Sequence, residues 1–525
     1  NQAGRVIRIT ENQQNIYDLD SLKITIDGLT IQNGDQYENG GGIYFFNSQD
    51  NNNWPEKHNI VLSNLNLKNN STQSNGGAIS IIASNCSLKN LSVSNNTATG
   101  YFGAIHLKLL GKAIVENCNI FNNSSSYYAG GLGIENLDTI YVNSSNIYNN
   151  TAENYGGGAY YANSDVMKIE STNIYNNTVN DYGGGGIFVS GGEKFEILNS
   201  AIFENNCETN GAGLGLDYTD TIIISSTNFI GNESENYQGA MMLNGNTIEY
   251  INISDCDIVG NKATHQAGIF VGTGDHVVIN NCRIDSNIAD GGNNGGLNIN
   301  NNDKVEVINT KIRYNTSDGS QAGVNMDNID SLFFINCQII ENITPSTAGG
   351  LYLSSNIEYV NMLSTDIIGN EGNIGGMWCG SNYLVMNNCR VDSNESNGSG
   401  GGAFFMSKYT TISNSIFSFN EAQDYAAFYV NADEFILKNS TIANNTDNSP
   451  YVASIGFDSN SDDNLIFNSI IYEPNHPNRD IYMSGGNLSL YNNLLFHTYL
   501  AGYNGILPIV DSNNVFSHID PFVDS

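Results

Sequence analysis

Every 24 to 29 residues the chain repeats one phrase: an apolar residue, a spacer, Asn, then Ser, Thr or Cys, a spacer, Ile, two spacers and Asn. Gly-Gly-apolar follows a few residues later. Good copies are Val115 to Asn123 with Gly130-Gly131-Leu132, and Val142 to Asn150 with Gly156-Gly157-Gly158. The closing Asn recurs from Asn70 through Asn123, Asn177 and Asn315 to Asn445. A period held that long marks a stacked solenoid. Within each repeat apolar and polar residues alternate, as in Ile251-Asn252-Ile253, which is a strand period. Asn and Gly are abundant while Ala, Leu, Lys and Glu are scarce, so helix is disfavoured throughout.

Each repeat offers three short strands: one before the Asn-Ser/Thr/Cys bend, one through the Ile and one after Gly-Gly. Three strands and three turns per coil define an all-β, single-stranded parallel β-helix. It is expected to be right-handed because parallel crossovers are. About 18 coils at ~4.8 Å each would make a rod of roughly 85 Å. Residues 1–464 carry the repeat, and 465–525 read as irregular terminal coils plus a C-terminal cap, because Pro474, Pro477, Pro508 and Pro521 break the period. The segment from Asn47 to Lys57 reads as a loop insertion.

The repeat also predicts a cross-section. Its Ile points inward. The residue two before it is small, as at Ser145, Thr172, Ser200 and Thr227, or is Cys, as at Cys118, Cys256, Cys282, Cys337 and Cys389, and is expected to form an interior column. The closing Asn column is expected to form an amide ladder, and the glycines to supply positive φ. The eight Cys do not form a disulfide framework; Cys256 and Cys282, on neighbouring coils, are read as a free, buried pair.

Acidic residues outnumber basic ones 53 to 19, for a formal charge of −34. Such a charge argues against nucleic acid, anionic membranes and polyanionic sugars as partners. It keeps a solenoid with open sheet ends soluble. No apolar run is long enough to span a bilayer. The first residue is Asn rather than Met, so the chain reads as part of something longer.

Ile24 to Gly34, followed by Gly40-Gly41-Gly42-Ile43-Tyr44, resembles the opening of bacterial surface right-handed β-helix proteins. Gly76-Gly77-Ala78-Ile79 and the Phe-x-x-Asn at 229–232 and 417–420 are similar to the repeats of chlamydial polymorphic outer-membrane proteins. The tail Ile519 to Asp524 resembles a closing segment of secreted β-helices of Bacteroidetes-like bacteria. This resemblance implies export and an extracellular or bacterial cell-surface location. Related β-helices include adhesins, polysaccharide lyases and hydrolases, so function must come from sites.

No enzyme site is legible. Asn445-Thr446-Asp447 and Asp462-Asp463 loosely match the paired acids of glycoside hydrolysis, but Asn-Thr is the ordinary end of this repeat. Arg283 and Arg390 are read as ion pairs with Asp257 and Asp366 of preceding coils. The seven His share no position, and no Ser-His-Asp or metal-ligand spacing appears.

Two features point to binding. The residue after the inward Ile is aromatic on four successive coils, at Phe121, Tyr148, Tyr175 and Phe203, then Ile230 and Val259. Before the glycines stand Phe102, Tyr128, Tyr155, Tyr182 and Tyr237. These rows either cover each other across the intervening turn or take a sugar or an apolar partner face. Asp138, Asp165, Asp220, Asp275, Asp303, Asp330 and Asp433 recur before the first strand and read as turn caps. Asp458, Asn460 and Asp462 alternate like half of a calcium loop, without its Gly or Glu. No cofactor is required by this reading; calcium is the one such a loop would take.

The expectation is therefore a non-catalytic, externally displayed β-helix. It would act as an adhesin or binding stalk for a glycan or protein partner. The alternatives are self-assembly with copies of itself into a filament or surface layer, and a polysaccharide lyase or glycoside hydrolase.

Overall fold

A computed structural model describes residues 7–10, 23–46, 59–83, 85–109, 111–245, 248–449, 453–458, 461, 463–474, 480–496, 500–502, 509–510 and 513–517. The loop read at 47–57, the tail at 519–524, Asn460 and Asp462 lie outside these residues. The chain forms two compact units, residues 1–263 with 269–274, and 264–268 with 275–525. Among the described residues every regular element is a strand, and no helix is long and apolar enough to cross a membrane.

In the first unit one coil runs Leu132–Glu135, Thr139–Asn143, Asn146–Tyr148 and Thr151–Ala152. Each segment pairs in parallel with its equivalent one repeat later: Leu132 with Ala159, Thr139 with Val166, Ile147 with Ile174, Thr151 with Thr178. The first two segments belong to one sheet, and in Ile187–Leu198 and Leu214–Ser225 they fuse into single strands. Three sheets per turn therefore result, but not the three strands expected. The strands before the bend and after Gly-Gly share a sheet. The third sheet is built from two-residue strands just after the closing Asn, too short for any periodicity to show.

The second unit repeats the plan. Leu297–Ile308 and Val324–Ile335 pair along their whole length. Parallel pairing continues past the expected break at 465, through Ile470–Tyr472, Leu494–Phe496 and Val515–Ser517.

Local chemistry explains the coil. The three-residue strands through the inward Ile are bracketed by left-handed residues, for example Ser144 and Asn149, or Asn117 and Asn122. Asn tolerates that region better than other non-glycine residues, which is why it recurs at both bends. The inward Ile is fully buried, as at Ile120, Ile147, Ile174 and Ile202, each contributing about 2–3 kcal/mol.

The closing Asn forms the expected ladder. Asn150 Nδ2 donates to Asn177 Oδ1 at 3.0 Å and to the Ile120 carbonyl at 2.9 Å, while its backbone N–H donates to the same Oδ1 at 3.0 Å. The pattern runs from Asn70 to Asn261 in the first unit and from Asn287 to Asn445 in the second. The small-residue column is a second ladder. The Ser145 N–H donates to Thr172 Oγ1 at 3.3 Å, and that of Thr172 to Ser200 Oγ at 3.1 Å. Cys118 takes a place in it, its thiol 3.3 Å from the Glu116 carbonyl and pushed up to about 11 by burial. All eight Cys are free and buried.

The glycines serve two ends. One early in the run supplies the expected positive φ at Gly40, Gly76, Gly156, Gly184, Gly211 and Gly400, where other coils place Phe102, Ala129 or Gln238. The glycines that follow are needed for close approach: a Cβ on Gly157 would lie 2.6 Å from the Gly185 carbonyl oxygen.

Candidate functional site

The four rings Phe121, Tyr148, Tyr175 and Phe203 end successive short strands in register. Their centroids are 5.0, 4.9 and 4.7 Å apart, with planes within 3° of parallel. Each ring is half-buried. Because neighbouring faces lie against each other, the ladder offers solvent a strip of ring edges rather than open faces. Such stacking contributes about 0.5–1.5 kcal/mol per pair.

The second row does not cover the first. Tyr128 and Tyr155 turn back over the strand that follows the glycines, where Tyr128 stacks on Tyr160 at 4.9 Å and Tyr155 packs on Phe188 at 4.4 Å. Phe102 lies over His106 at 4.8 Å and fills the space left by Gly133, where a Cβ would sit 1.9 Å from its ring. A satellite cluster does form, but its partners are the outward residues of the next strand. Burial pushes the Tyr160 phenol up to about 12. Tyr182 and Tyr237 remain exposed.

Under this cover the fold assembles a triad that sequence spacing did not show. His106 Nδ1 lies 3.1 Å from Ser80 Oγ, and Nε2 lies 3.3 Å from Glu135 Oε2. The hydrogen bond with His106 holds the Glu135 carboxyl below its ordinary value. A Ser-His-acid relay of this kind serves nucleophilic hydrolysis when the serine is open to substrate. Here Ser80 is 0% and His106 2% exposed, with Phe102 stacked on the imidazole. No substrate carbonyl reaches the hydroxyl, so the relay is a satisfied buried network. Its signal was the strand period, since Ser80 and His106 hold the same outward position on adjoining coils.

The acidic column is longer than the aspartates suggested. Asp138 and Asp165 are joined by Glu193, Asp220 and Glu249, linked coil to coil through backbone hydrogen bonds beside them. Most of their side chains are exposed, and water screens their repulsion. Arg390 stands beside Asp366 in register, yet its guanidinium bonds Asp392 on its own strand at 2.7 Å. Arg283 bonds Asp285 at 3.5 Å, an acid it shares with Arg313 at 2.9 Å. Asp458 accepts the Tyr429 hydroxyl. Among the described residues no group of three or more His, Cys, Asp or Glu is placed to hold a metal.

Asp447 accepts the Ala426 N–H at 2.6 Å and is pushed up to about 8, chiefly by burial. Glu473 takes the ladder place after Asn445, accepting its side-chain amide at 2.7 Å and its N–H at 2.8 Å. Burial raises its carboxyl well above the usual range. Glu473 is sealed from solvent, so these acids are not a hydrolytic pair.

A family model described as a right handed beta helix region matches residues 7–202. The fold is thus an all-β, right-handed parallel β-helix with three sheets per turn. No curated protein and no solved structure matches the chain.

Proposed function

We propose that this chain is a non-catalytic binding β-helix, displayed outside the cell, whose first unit offers a flat aromatic strip to a glycan or protein surface. The observation that carries the reading is the Phe121–Tyr148–Tyr175–Phe203 ladder. It is a stretch of parallel, stacked, half-buried rings continued by Ile230, which is 42% exposed. Rigid aromatic area of this kind favours contact at little entropic expense. The sealed state of the Ser80–His106–Glu135 relay supports a binding rather than a catalytic role, as does the −34 charge against nucleic acid.

The test is the double substitution Tyr148→Ala, Tyr175→Ala. Wild-type protein is applied to immobilised glycans and extracellular proteins, and the variant to whatever it captures. At least about a tenfold loss of affinity is expected, equivalent to ~1.4 kcal/mol. Unchanged capture by the variant, or release of oligosaccharides from a polysaccharide panel by the wild type, overturns the reading.

A further inference from the structure

The outward position after the glycines, largely covered in the first unit, is reached by solvent at Asn325, Tyr352 and Trp378 of the second. Its residues on successive coils are Asn298, Asn325, Tyr352 and Trp378. Asn325 Nδ2 donates to Asn298 Oδ1 at 3.1 Å, so the half-buried Asn325 carboxamide forms a floor seated on the buried Asn298. Tyr352 follows directly. One face of its ring is stacked on Trp378, 4.7 Å away and 10° from parallel. Gly380 leaves room for that indole, since a Cβ there would lie 2.6 Å from it.

Around this floor lies a groove of about 460 Å³, a size ordinary for small-ligand sites. One wall comes from the turn before the glycines, with Asn293, Asn294 and Gln321. The other comes from the bend in the same sheet, with Asn300, Asp327 and Asn356. The turn residues here are small or polar, including Ser320 and Thr347 where the first unit has tyrosines. That is why the floor is uncovered.

The chemistry of the lining is specific. Carboxamides present donor and acceptor together, matching sugar hydroxyls, which are both. Asn294 is 3% exposed, and its Oδ1 has no hydrogen-bond partner. Buried polar atoms are ordinarily paired, so an acceptor without a donor at the groove wall marks a place for one. Asp327 is the single carboxylate of the lining, which holds no Lys, Arg or His. It already accepts the Ser354 hydroxyl and, at 3.1 Å, the Asn356 amide. With no cation to pair it, a uronate or sulfated sugar would bring its charge into an acidic protein uncompensated.

We infer that this groove, on Asn325 and Tyr352, binds a neutral oligosaccharide, with hydroxyls on the carboxamides of its floor and walls and a sugar face against the Tyr352 end of the aromatic stack. The site is separate from the aromatic strip of the first unit and independent of the reading given to it.

The experiment is calorimetric titration of the full chain with neutral gluco-, manno- and galacto-oligosaccharides and with oligouronates of equal length. Binding of at least one neutral series is expected, with oligouronates at least about tenfold weaker. Tyr352→Ala and Asn325→Ala should each lower affinity about tenfold or more, while Tyr352→Phe keeps it within about twofold, because stacking needs the ring and not the hydroxyl. Circular dichroism verifies that each variant is folded. No binding of any neutral series up to about 10 mM, equal affinity for oligouronates, or indifference to both alanine substitutions in folded protein overturns the inference.

Discussion

The two units share a backbone and differ at one turn. In the first, Tyr101, Tyr128, Tyr155 and Tyr237 stand ahead of the glycines, and much of the outward column beyond them is buried: Ser80 at 0%, His106 at 2%, Phe188 at 5%, Met242 at 8%. In the second, the same place holds Asn293, Ser320, Thr347 and Ser399, and Asn325, Tyr352, Trp378 and Phe404 are reached by solvent. The interiors differ the other way. The second unit buries Phe405, Phe417, Phe428 and Phe435 in mutual ring contact, where the corresponding positions of the first are mostly aliphatic. A solenoid thus separates its tasks: ladders and inward side chains hold the coil, and one side chain per turn decides whether a surface column is sealed or available.

If the ladders do the same work in both units, Asn177→Ala and Asn342→Ala should be equally damaging. Each strips a buried amide of its bonds to two coils and leaves orphaned backbone groups, at about 1–3 kcal/mol per group. A loss of ~3–5 kcal/mol is expected for both by denaturant titration. A markedly milder effect in one unit would break the equivalence.

A pH dependence should belong to the second unit. Glu473 and Asp447 both have folded values raised by burial. Above about pH 4 the unfolded chain releases protons that the folded chain keeps, so stability from these groups is complete below that and declines as pH rises toward about 8. The thermal midpoint is expected to fall by several degrees from pH 4 to 8. In Glu473→Gln, Asp447→Asn that slope should flatten; an unchanged slope would place the dependence elsewhere.

The smallest effect tests the turn itself. Tyr128→Ser, Tyr155→Thr gives the first unit side chains like those of the second and should uncover Tyr160 and Phe188, at a cost of about 1–2 kcal/mol. Binding of a hydrophobic dye should rise. An unaltered dye signal would show that those tyrosines are not the cover.

Most of the coil was legible because its residues are local rules. Asn at both bends answers the left-handed backbone, alternation marks the strands, and the Asn period marks the ladder. The two-residue strands after the closing Asn were not legible, since Thr151-Ala152 is too short to carry a pattern. The glycines signalled a turn conformation, found at Gly40, Gly76 and Gly156, while the close approach of one coil to the next at the glycines that follow was not legible. That Asp458 accepts the Tyr429 hydroxyl, 29 residues away, was likewise beyond what spacing along the chain can show.

The sites divide the same way. Phe121, Tyr148, Tyr175 and Phe203 could be aligned by counting, because a fixed period puts equal positions side by side. Which face of each ring is free could not be counted, as it depends on how neighbouring rings stack. Composition and period by themselves determined an acidic, all-β coil with its Ile and Asn columns inside, since those follow from backbone preference and repetition. Only tertiary structure decided that Ser80, His106 and Glu135 meet beneath Phe102 while Asn325 and Tyr352 are reached by solvent. Exposure belongs to the side chains that fold back from the adjoining turn, and their reach is set in three dimensions.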